Sequence, residues 1–157
     1  MAVESARSRC RLSELQSARP VAAVAELGLL GDNQTVMPKE FAKVFAALRE
    51  ILQRHAGKLS VKEDSANCYC LEGGLHPKHK VPMSIAWVSV GKAYVSFHHM
   101  GVYARPDLLK GVSKELRARM QGKSCFNFTS VDEALFGELE ELTVRSFDAF
   151  RNAPFMK

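Results

Sequence analysis

Two adjacent histidines, His98 and His99, end the strand-like run of KAYVSFHHMGVYARPDLLKG (residues 92–111). An imidazole titrates near neutrality and serves as a general base or a metal ligand, so the pair raises both chemistries. Strand geometry divides them, because successive side chains on a strand point to opposite faces. They would meet at one metal only through a bulge or at the strand's end. The other reactive side chains are four cysteines, Cys10, Cys68, Cys70 and Cys125. Cys68 and Cys70 stand two apart and would share a strand face, but they form no CxxC pair. No second CxxC or HxxxH accompanies them, so a structural zinc site is not indicated. A Cys125–His98 pair is conceivable chemistry, the imidazole accepting the thiol proton. The chain carries no nucleophile elbow, GxGxxG, GxxxxGK[ST] or HExxH motif, which argues against several familiar enzyme classes.

The elements that must position these groups begin at Pro38, which suits a first helical position because its missing N–H has no intrahelical partner. Phe41, Val44, Phe45, Leu48, Ile51, Leu52 and His55 then recur on one helical face, with Gly57 as the C-cap. Segments 59–64 and 67–72 read as short strands joined by a turn at Ser65-Ala66. GGLHPKHKVP (73–82) reads as a loop. Segment 83–90 is apolar on both faces, Met83, Ile85 and Trp87 against Ala86, Val88 and Val90, as in a central strand. Gly91-Lys92 is a hairpin turn and 93–99 the returning strand. A short helix opens at Pro106 and runs to Lys110. Ser113 caps another, SKELRARM, and 123–128 forms a fifth strand. Ser130 and Glu133 read as a capping box. The helix that follows carries Leu135, Phe136, Leu139, Leu142, Phe147 and Phe150 on one side. The order predicts an α+β single domain, a largely antiparallel five-stranded sheet with helices packed on one face.

Alternation assigns Val95, Phe97 and His99 to the helix-covered face, and Phe126 and Phe128 with them. It leaves Tyr94, Ser96, His98, Cys125 and Asn127 on the uncovered face, a candidate ligand-binding patch if their strands are neighbours. His99 reads as a structural histidine. His98 is the one placed for function.

Length and composition bound the rest. A chain of 157 residues, 46% hydrophobic and 25% charged, suits one soluble domain with a core, and no apolar run approaches the ~20 residues of a membrane span. The net charge of +5 is spread along the chain rather than clustered with aromatics, which disfavours nucleic acid as a partner. Residues 1–36, rich in Ala, Ser and Arg and without an aromatic, read as a poorly ordered extension with one short helix near 20–30. Their broken apolar patch and acidic residues fit neither a secretory nor an organellar signal, so the expected setting is cytoplasmic, with reduced thiols. Met37-Pro38 reads as the domain start, an upstream or misassigned initiation being the companion expectation. The expected domain covers 37–152, with a tail at 153–157.

The segments VKEDSANCYCLEGG, KAYVSFHHMGVYARPDL and MQGKSCFNF together resemble the YdhG-like family of small bacterial domains of unknown function, from about Pro38 to Arg151. The shared features are a "YVS-H-M" strand before a Pro-led helix and a "GK-C--F" strand before a C-terminal helix. The resemblance implies a compact α+β fold. One branch of that family is regarded as a frataxin-like iron chaperone. That implies, as an alternative, iron held by the acidic last helix through Asp132, Glu133, Glu138, Glu140 and Glu141, since hard iron ions favour carboxylate oxygens. The leading expectation is a non-enzymatic binding module without a cofactor, taking a small molecule or protein on the sheet face. A second alternative is a small enzyme using Cys125 or His98. An exposed strand edge would support a homodimer.

Overall fold

The apolar stripe that opens the fold forms α1 (Lys39–His55), which buries Val44, Phe45, Leu48, Ile51 and Leu52. Its stripe needs a surface to cover, and a sheet supplies it. In this computed structural model residues 38–151 are described, apart from 58 and 77. The expected extension at 1–36, its helix near 20–30, the start at Met37 and the tail at 153–157 lie outside the described residues. Gly57 takes φ 56°, the left-handed conformation that ends the helix. The described elements then run β1 (Ser60–Asp64), β2 (Cys68–Leu75), β3 (Pro82–Val90), β4 (Val95–His99), α2 (Met100–Ala104), a 3₁₀ turn (Pro106–Leu109), α3 (Lys114–Ala118), β5 (Met120–Gln121), β6 (Cys125–Phe128) and α4 (Glu133–Arg151).

The strands make one antiparallel sheet of six in the order β1-β2-β3-β4-β6-β5. The α+β class holds. The count differs from the expected five because Met120, read as a helix end, and Gln121 after it pair with Phe126 and Cys125 as β5. Two residues are too few for alternation to reveal them.

Register lines up whole rows. Tyr69, Val88, Phe97, Phe126 and Met120 stand side by side across five strands. The first four are buried in the core beneath α1 and α4. Each such side chain contributes ~1.5–3 kcal/mol on burial. Ile85, expected beside Trp87, is buried in this core instead. The pairing shifts between Leu71 and Glu72, opposite Ala86 and Ser84, so simple alternation breaks at that point.

Polar clamps fix the helices to their layer. Arg49 of α1 meets Asp64 of β1 at 2.7 Å and lies over the Tyr69 ring, 5.3 Å from its centre. Arg54 and His55 of α1 both reach Glu140 of α4, at 2.9 and 2.7 Å. Asp132 caps α4 by accepting the Leu135 N–H at 3.1 Å. It displaces the expected Ser130–Glu133 box, because α4 begins at Glu133 itself. Ser113 caps α3 as expected, accepting the Leu116 N–H.

Between β4 and the 3₁₀ turn the chain turns at once into α2, an element too short for periodicity to show. Its Gly101 sits against α4: an added Cβ would lie 1.6 Å from Ser146 Oγ and 2.9 Å from Ser146 Cβ. Gly101→Ala should therefore lower stability by about 1–3 kcal/mol, the usual range for overpacking, in urea unfolding followed by circular dichroism. An unchanged midpoint would contradict this contact between α2 and α4.

Candidate functional site

On the face of the sheet opposite the core, register sets two rows of chemically active side chains. Cys70, Trp87, His98, Cys125 and Gln121 form one, with each residue opposite the next. Cys68, Ser89, Ser96 and Asn127 form the other. Thus β4 and β6 are neighbours, and four of the five candidate residues, Ser96, His98, Cys125 and Asn127, come together as directly paired positions. Tyr94 lies just before β4, yet its side chain joins the group.

The contacts form two connected clusters. Cys125 Sγ lies 2.8 Å from His98 Nδ1. The imidazole stacks on the indole of Trp87, ring centres 4.6 Å apart and planes 12° from parallel. Next to them, the Ser96 hydroxyl donates to Asn127 Oδ1 at 2.7 Å. The Asn127 amide donates to Gln121 Oε1 at 2.8 Å, and the Tyr94 hydroxyl donates to the same oxygen at 3.0 Å. Gln121 and Trp87 are the members that sequence reasoning missed. Gln121 was hidden with β5. Trp87 did carry a signal, since it stands opposite Ala86 and Val88 in an alternating strand.

The expectation of a bare face needs correction. His98, Cys125, Asn127 and Tyr94 are half-buried, and Ser96, Trp87, Cys68 and Cys70 are buried.

His99 goes the other way. It is fully buried, with Nδ1 3.1 Å from Ser146 Oγ and its ring set between Phe97 and Phe147. Among the described residues its Nε2 has no hydrogen-bond partner. Burial without a counter-charge holds its pKa down, from the ordinary 6.5 to about 3. The histidine pair therefore splits, His99 into the core and His98 onto the opposite face, as strand alternation requires.

The carboxylates of the alternative reading do not converge. Asp132 is the α4 cap. Glu138 accepts from the Ser113 backbone N–H at 2.5 Å and from its hydroxyl at 2.6 Å. Glu140 binds Arg54 and His55, while Glu133 and Glu141 are exposed. Among the described residues no group of three or more His, Cys, Asp and Glu side chains is placed to hold a metal ion. No helix among them is long and apolar enough to cross a membrane. Comparisons of the chain with protein-family models, with curated proteins and with solved structures find no match.

The buried imidazole makes stability depend on pH. Unfolded, His99 takes a proton below about 6.5, whereas folded it stays neutral until about 3. The unfolded state thus binds more protons in that window. The contribution of neutral His99 is complete above the unfolded value and is lost as pH falls towards the folded one. The slope from this group is at most about 1.4 kcal/mol per pH unit. Urea midpoints of the wild type should fall between pH 6.5 and 4 more steeply than those of His99→Leu. Parallel curves would show that His99 is not the titrating group.

Proposed function

We propose that this chain is a small, non-enzymatic binding module whose ligand site is the sheet face at Tyr94, Ser96, His98, Cys125 and Asn127, with Gln121 and Trp87 completing it. The observation that carries the reading is the joined network. Ser96, Asn127, Gln121 and Tyr94 are bonded in one chain of hydrogen bonds beside the stacked His98–Cys125 pair. Side chains fixed in this way offer donors and acceptors without the entropy cost of ordering them on binding. They suit a small polar molecule, with the half-buried rings supplying the apolar contact that such sites use.

The Cys–His contact favours a second reading, an enzyme with Cys125 as nucleophile. In such a dyad the imidazole takes the thiol proton. Thiol-reactive probes test this reading: labelling of Cys125 as slow as that of a neutral, buried thiol would remove it. The iron-handling alternative attached to the YdhG-like resemblance would need Glu138 and Glu140 to leave their present partners. Anaerobic titration calorimetry with ferrous iron tests it directly, and absence of heat would remove it.

The leading reading is tested by two-dimensional NMR of the full chain against a panel of nucleotides, sugar phosphates, amino acids and small thiols. A binder should perturb the amides of residues 94–98 and 125–127. Asn127→Ala should weaken its affinity about fivefold to tenfold, the loss of one hydrogen bond. Perturbations confined to other surfaces, or affinity indifferent to Asn127→Ala, would overturn the assignment.

A further inference from the structure

Three cysteines occupy the same sheet face, in two different settings. Cys68 and Cys70 are buried, at 6% and 2% exposure, whereas Cys125 is half-buried. Cys125 has a base within proton-transfer distance, His98 Nδ1 at 2.8 Å. Direct pairing of the two residues across β4 and β6 fixes their backbones, and the Trp87 indole fixes the tilt of the imidazole. A thiol reacts as its thiolate, so an imidazole held beside the half-buried member of these three cysteines is the arrangement that selects one thiol among them.

From this geometry we propose that Cys125 is a covalent modification site that exchanges with low-molecular-weight disulfides. The Cys125 proton passes to His98 Nδ1, and the sulfur attacks one sulfur of the small disulfide. A Cys125–S–S–R bond forms as the reagent's own S–S bond breaks. The departing thiolate leaves with the electron pair of that bond and takes up a proton from the imidazolium or solvent. The oxidising equivalent comes from the small disulfide, so no other oxidant is needed. On this face Cys125 neighbours Gln121, directly opposite it, and Asn127, two residues on, whose amide groups suit a polar, peptide-like R group. The proposal shares a face with the binding reading but does not depend on it, since a failed ligand panel leaves the exchange reaction standing.

The test uses the full chain carrying Cys10→Ser, incubated with glutathione disulfide and followed by intact mass and peptide mapping. One glutathionyl adduct should form, at Cys125. At neutral pH its rate should fall about tenfold or more in His98→Gln, with the rate–pH profile moving to that of an ordinary thiol. His98→Asn serves as a second variant, and circular dichroism checks the folding of each. Trp87, the one tryptophan of the sequence, gives an independent readout, because an adduct beside its stacked partner should change its emission. That change should be absent in Cys125→Ser. Modification of Cys68 or Cys70 in preference to Cys125, or equal rates and profiles in the folded wild type and a folded His98 variant, would overturn the proposal.

Discussion

The pairing of β4 with β6 is the constraint on which the rest of the structure depends. Its register sets Val95 against Phe128 and Phe97 against Phe126 on one face. The same register sets Ser96 against Asn127 and His98 against Cys125 on the other. A slip of one residue would carry every one of these side chains to the wrong face, exposing the phenylalanines and burying the polar set. The burial of Phe97, Phe126 and Phe128 therefore holds the thiol against the imidazole. The core and the site are two faces of one alignment.

Core packing extends this control beyond the strands. β4 passes directly into α2 after His99, so the strand's last core residue is also the first fixed point of the helix. His99 is anchored by Ser146 of α4, and the same serine lies against Gly101. A neutral buried histidine, a close glycine contact and the end of the site strand thus share one location. His98 adjoins His99 in the chain, so this location also anchors the strand that carries it.

Much of the fold was legible because its signals are local. The stripe from Phe41 to Leu52, the turn at Gly91 and the Ser113 cap each follow from side-chain spacing or backbone chemistry within a few residues. The misses have equally physical causes. Met120–Gln121 forms a strand only because β6 is there to pair with it. Met100–Ala104 is too short to show a period and rests on its fit against α4. Asp132 displaced Ser130 as the cap because the start of a helix is decided by where packing begins. Ile85 joined the core because a shift in register interrupts strict alternation. Ser96, His98, Cys125 and Asn127 do share one face, but Gln121 and Trp87, which touch that set, entered only with the neighbouring strands.

Sequence by itself determined which side chains could share a face, because the period of two along a strand is a property of covalent geometry. That was enough to split His98 from His99 and to group His98 with Ser96, and Cys125 with Asn127. Only the tertiary structure decided that those two groups adjoin, since residues 27 apart, such as His98 and Cys125, meet through strand order and not through spacing. It also engaged Glu138 with Ser113 and Glu140 with Arg54 and His55. A sequence shows a carboxylate's charge, whereas its partner is whatever side chain the packed helices bring within reach.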